Sequence, residues 1–127
     1  KRVTIMRRKK LGSTDLEISE ICLGSMTWGT QNTKNEAFEQ IDMALDHNVN
    51  IIDTAEMYPV NPLSKETQGN SEKIIGDWIK KSKRRDEVII ATKVSGKGYQ
   101  AVRKGAPISQ KTIRIALENS LRNLSLE

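Results

Sequence analysis

The sequence holds too few soft ligands for most metal chemistry and too few cysteines for any internal cross-link. Its 127 residues contain one cysteine, Cys22, and one histidine, His47. One thiol excludes an internal disulfide, and one Cys with one His gives no ligand cluster, so a metal site has no support. Cys22 sits in the apolar run Glu20-Ile21-Cys22-Leu23-Gly24 and is expected to be a small buried hydrophobe, as suits a reducing cytoplasm. His47, in Leu45-Asp46-His47-Asn48, falls at an expected helix end and reads as a dipole partner rather than a catalyst. No run of 18 or more apolar residues occurs, so no membrane span is expected. The opening Lys1-Arg2-Val3-Thr4-Ile5-Met6 is basic but lacks the apolar stretch of a signal peptide. Met6 is the expected natural start, with Lys1 to Ile5 upstream sequence.

Aromatic residues are also scarce, at 4%. This matters for the net charge of +5, which is concentrated in Arg7-Arg8-Lys9-Lys10 and Lys80-Lys81-Ser82-Lys83-Arg84-Arg85. Nucleic-acid binding by such clusters draws on interleaved aromatics for base stacking, and none are present. The clusters therefore read as solvated faces, the second at a helix C-terminus, where the helix dipole favours cations. With 36% hydrophobic and 29% charged residues, the chain has ordinary globular composition. Its length fits a single domain over residues 1–127.

Short apolar runs alternate with amphipathic stretches. Residues 7–19 predict a hairpin, with turn chemistry in Leu11-Gly12-Ser13-Thr14-Asp15-Leu16. A first strand is expected over Ile21 to Leu23. Thr33-Lys34-Asn35-Glu36 is a capping box opening a helix with Ala37, Phe38, Ile41, Ala44 and Leu45 on its apolar face, stopped near Asn48. A second strand is expected over Val49 to Thr54. A helix from about Ser71 follows, with Ile74, Ile75, Trp78 and Ile79 inward. The third strand spans Glu87 to Val94. Ser109 is the expected N-cap of a last helix that turns Ile113, Ala116, Leu117, Leu121 and Leu124 inward.

Strands buried on both faces and joined by helices imply an α/β fold with a parallel sheet and right-handed crossovers. An open doubly wound sheet and a (β/α)₈ barrel both fit this order. The open sheet usually carries a Gly-rich phosphate loop after its first strand. Here Gly24-Ser25-Met26-Thr27-Trp28-Gly29 stands in that place and lacks the G-x-G-x-x-G pattern. Gly96-Lys97-Gly98 is no P-loop either.

In a barrel, reactive groups stand at the C-terminal ends of the strands. Asp53 ends one expected strand and Lys93 another. Alternation puts Asp53 on the face of Ile51, and Lys93 on the face of Ile89 and Ala91. Burial lowers a lysine's pKa, and Asp53 is the nearby carboxylate able to keep Lys93 charged. Tyr58 lies in the loop beyond Asp53. A lysine ammonium beside a phenol favours the phenolate, so Tyr58 could give a proton to a carbonyl oxygen as a general acid. Trp28 fits either a pocket aromatic or plain packing. A Schiff-base aldolase is the rival enzyme reading, with Lys93 as nucleophile; it needs a neutral lysine, which Asp53 opposes.

Leu23-Gly24-Ser25-Met26-Thr27-Trp28-Gly29, Asn50-Ile51-Ile52-Asp53-Thr54-Ala55-Glu56-Met57-Tyr58 and Ile89-Ile90-Ala91-Thr92-Lys93-Val94 resemble successive motifs of the aldo-keto reductase family. Glu56-Met57-Tyr58-Pro59 and Glu66-Thr67-Gln68-Gly69 resemble its Tas-like branch. The resemblance runs from about Arg7 to Glu127. It implies the front part of a barrel, a hairpin plus three βα units, that ends before a fourth strand. It also implies an NADPH-dependent reductase of aldehydes or ketones, a small-molecule carbonyl substrate and a cytoplasmic setting. Asp53, Tyr58 and Lys93 would be catalytic. Gly24, Ser25, Met26 and Asp53 would meet the cofactor, and Thr27 and Trp28 would line the substrate pocket. The family's catalytic histidine, on the fourth strand, and most cofactor contacts would lie beyond Glu127, since a full barrel takes about 250 residues. The 127 residues alone are thus expected to be inactive. Some family members act as cytoplasmic ion-channel subunits, which makes a non-catalytic, cofactor-binding role the alternative outside enzymes.

Overall fold

A computed structural model describes residues 5–127; Lys1 to Thr4, most of the expected upstream segment, lie outside the described residues. The hairpin forms as expected, with β1 (Arg8–Lys10) antiparallel to β2 (Glu17–Ser19). The main sheet has β3 (Leu23–Gly24), β4 (Ile51–Asp53) and β5 (Ile89–Ala91), all parallel, with β4 in the middle. Helices α1 (Lys34–Asp46), α2 (Asn70–Ser82) and α3 (Gln110–Leu124) follow the three strands in turn. The sheet is open, as expected of a barrel's front part. No described helix is long and apolar enough to cross a membrane.

Local sequence sets the helix starts. Thr33 and Glu36 form the full reciprocal capping box of α1. Ser109 caps α3 and exchanges bonds with Thr112 in the same way, which satisfies amide donors otherwise left free in the first turn. His47 is the C-cap of α1, with its ring Nδ1 2.8 Å from Met43 O. Of the basic clusters, Lys80 and Lys81 lie in the last turn of α2. Arg7 and Lys9 pair with Glu20 on the surface.

Period-two alternation divides the sheet. Leu23, Ile52 and Ile90 turn toward the helices and join a core of Trp28, Ala37, Ile41, Ile74, Ile75, Trp78 and Ile79. Asp53 and the residues in phase with it turn to the other, inner face. The hairpin is fastened below this sheet by Asn50, whose side chain accepts from Ser19 N at 2.8 Å and donates to Glu17 O at 2.9 Å.

Several expectations need correction. The second and third strands are shorter than expected, Ile51–Asp53 and Ile89–Ala91, and Ile113 and Leu117 of α3 are exposed rather than inward. The first strand is Leu23–Gly24, not Ile21 to Leu23, and Ile21 is exposed. The Asn50 amide, which would pair there, donates instead to Ser19 Oγ, so the ladder starts later. Cys22 is exposed rather than buried, because it lies on the inner face, which the described residues leave open around it.

Candidate active site

Parallel pairing puts Gly24, Asp53 and Ala91 side by side at the C-terminal ends of their strands. Lys93 lies two residues past Ala91 and shares its face. Its Nζ donates to Asp53 Oδ2 at 2.6 Å and stands 4.8 Å from the centre of the Tyr58 ring. Both partners of the Lys93–Asp53 pair are nearly half exposed, so it contributes at most about 1 kcal/mol to stability. Its main consequence is orientation. Partial burial pulls the Lys93 ammonium down, but the hydrogen bond to Asp53, the nearby Tyr58 and the charge of Asp53 outweigh this and hold it above its ordinary value. The expectation of a buried lysine at a strand end is thus corrected: Lys93 stands in the open at the rim.

The segment after β3 is partly structural. Ser25 is buried, and its Oγ donates to Asp53 O at 2.8 Å, which locks the end of β3 to the end of β4. Gly24 has open space where a side chain would stand, and Met26 is exposed. Thr27 is half-buried in the turn that follows. Trp28 is not brought to the strand ends. It is 1% exposed in the core, and its Nε1 donates to Gln40 Oε1 at 2.9 Å. Of the two readings open for Trp28, this is packing.

Two buried carboxylates were not singled out in the sequence. Glu56 accepts from Arg103 through both oxygens, at 2.9 and 2.6 Å, and from Ser95 N at 2.9 Å. Glu72, fully buried on α2, accepts from Thr92 Oγ1 at 2.9 Å and from Asn123 Nδ2 at 3.2 Å. An acid inside the apolar stretch Ile51 to Met57 was a usable signal for Glu56. Nothing in the irregular loop from Ser95 to Pro107 pointed to Arg103 as its partner. No group of three or more His, Cys, Asp or Glu among the described residues could hold a metal ion.

A parallel βα sheet with an ion pair and a tyrosine at its C-terminal rim is the front part of a (β/α)₈ barrel. Solved structures agree on this. The holo form of an aldo-keto reductase from Bacillus halodurans superposes with a TM-score of 0.74 at 32% identity, over 95% of this chain and 37% of that one. A putative aldo-keto reductase of Pseudomonas aeruginosa does so at 0.71 and 26%, over 94% and 43%. Residues 20–127 match the model of the Aldo/keto reductase family, and the chain belongs to that family. Protein tas of Escherichia coli is 40% identical over an alignment of 125 positions that covers 96% of this chain and 36% of that protein. An aryl-alcohol dehydrogenase of Pestalotiopsis microspora is 32% identical over an alignment 130 positions long, gaps included, which covers 91% of this chain and 31% of that protein. The chain thus spans about a third of the curated relatives it matches.

Proposed function

We propose that this chain forms the front of an NADPH-dependent reductase that converts small aldehydes or ketones to alcohols. One observation carries the reading: the Lys93 ammonium lies between the Asp53 carboxylate and the Tyr58 ring, at one end of adjacent parallel strands. In this reading Asp53 orients Lys93. The Lys93 charge stabilises the negative charge that grows on the Tyr58 oxygen as its proton leaves. Tyr58 delivers that proton to the carbonyl oxygen.

The strand ends suit a nicotinamide. Gly24, paired with Asp53, has open space where a side chain would stand, and Met26 two residues on is exposed. Gly24, Met26 and Asp53 would hold the ring and its ribose, with Ser25 acting through the Asp53 main chain. When bound, the reduced nicotinamide supplies the hydride. The preference for NADPH, and a cytoplasmic setting for the free thiol, follow from the family likeness. The Schiff-base reading is the weaker one, because a lysine held above its ordinary pKa stays protonated and is a poor nucleophile. The 127 residues by themselves are expected to turn over no NADPH, since the fourth catalytic group and most of the cofactor cradle would come from later strands.

The test is Tyr58→Phe in the full-length protein. Carbonyl reduction should fall by about a hundredfold or more, the scale of losing a general acid, while NADPH affinity changes far less. Near-normal turnover would sink the assignment.

A further inference from the structure

Lys93 and Tyr58 come from different segments, and the rim pair Lys93–Asp53 is too exposed to fix their spacing. Lys93 hangs from the end of β5, and Tyr58 from the turn after β4. Between them lies Glu56, 2% exposed. Its own amide donates to Lys93 O at 3.2 Å, and its carboxylate accepts from Ser95 N at 2.9 Å. These two bonds flank Val94 and fix the backbone on the far side of Lys93. Toward Tyr58, Gln68 Nε2 donates to Glu56 O at 2.6 Å and Tyr58 N donates to Ala55 O at 3.1 Å. The Arg103 fork closes over the carboxylate, with side-chain exposures of only 12% and 3%. A buried, two-pronged pair is geometrically stiff, whereas a half-exposed lysine ion pair is not.

We propose that Glu56, clamped by Arg103, is a positioning residue that sets the Lys93 ammonium against Tyr58. The inference rests on the reductase reading above. Glu56 is buried away from the open rim and acts through the main chain of residues 93–95. Loosening the clamp moves Lys93 away from the phenol. Less positive charge then faces the phenolate that forms as Tyr58 gives up its proton, so proton delivery to the carbonyl slows. Binding of the nicotinamide does not depend on that proton, so kcat falls while the cofactor's KM does not.

The experiment compares Glu56→Gln and Arg103→Lys in the full-length reductase, with Tyr58→Phe alongside. Gln keeps an acceptor for Ser95 N but loses the charge; Lys keeps the charge but loses the fork. Both variants should lower kcat by about ten- to a hundredfold, the scale of a misplacement near 1 Å. The KM for the nicotinamide should stay nearly constant. Arg103→Lys should be the milder variant. Should Glu56→Gln fail to fold, the charge-conserving Arg103→Lys decides the question. A folded Arg103→Lys protein with unchanged kcat overturns the inference. A lower kcat accompanied by a matching rise in the nicotinamide KM overturns it too, since that is a merely structural defect. Failure of the reductase reading looks different: Tyr58→Phe itself would then keep its turnover.

Discussion

Helices α2 and α3 are both amphipathic, and both follow strands of the same sheet, yet they are buried very differently. α2 buries Ser71, Glu72, Ile74, Ile75, Gly76, Trp78 and Ile79. α3 is longer but buries only Ala116, Ser120 and Leu124, and it leaves Ile113, Ile115 and Leu117 exposed. The difference lies in neighbours. α2 is packed against α1 on one flank and α3 on the other, while α3 has a helix on one flank only. A periodic apolar pattern reports which side of a helix wants to leave water. How much of it does so depends on what stands next to it.

The sharpest way to break this contrast is to remove one large side chain from each helix. Trp78→Ala deletes a core ring and its bond to Asp42 Oδ1 and should cost about 3–5 kcal/mol. That is enough to abolish a cooperative thermal melt in a domain of marginal stability, as far-UV circular dichroism would reveal. Leu117→Ala should leave the melt within about 0.5 kcal/mol of the original. A comparable loss in both variants would mean that α3 is covered after all.

A smaller effect is expected at the seam where the two helices meet. Gly76 packs on the C-terminal end of α3, and a Cβ there would stand 2.6 Å from Asn123 O and 2.9 Å from Leu124 O. Backbone cannot yield as a side chain can. Gly76→Ala should therefore destabilise by about 1–3 kcal/mol in urea unfolding, although alanine is ordinarily the better helix former. A neutral or stabilising result would show that the seam is loose.

Smaller still is the effect of Leu117→Gln on the open flank. It should leave unfolding unchanged and reduce self-association in analytical ultracentrifugation, because an exposed apolar patch promotes contact between copies.

The rim pair should give the smallest signal. Asp53 and Tyr58 raise Lys93 above its ordinary value, so the folded state binds this proton more tightly than the unfolded state does. The resulting stability is present in full below the unfolded lysine value of about 10.4 and is lost as pH rises through the higher folded value. Lys93→Met should thus lower the melting temperature slightly at neutral pH. The gap should close in strongly alkaline buffer. A gap that widens there would reverse the sign of the argument.

Much of this arrangement was legible before any coordinates. The capping residues Thr33 and Ser109 start their helices where the sequence predicts, since a cap is a local bond within four residues. Asp53 and Lys93 meet because strand order and alternation place them, and both follow from patterns a few residues long. The lengths of strands were less legible. Pairing at Ile21 depends on whether the Asn50 amide is free, and Ser19, 31 residues away, takes it. The Glu56–Arg103 clamp was hidden for the same reason: its partners are 47 residues apart, and one sits in a loop without periodicity. The burial of Leu117 and of Cys22 was overestimated because a sequence pattern gives a face and not its cover.

The partly open inner face leaves the molecule with a chemical gauge of its own. Cys22 is the sole thiol, and it lies on that face, where partial burial and the nearby Asp53 carboxylate hold it above the usual thiol range. At neutral pH it will react slowly with an alkylating reagent, yet at one defined atom, without any engineered handle. The labelling rate therefore measures how open the inside of the sheet is. Whatever closes over Asp53 and Lys93 must slow that rate, and a stopped-flow trace of thiol modification would time the closure.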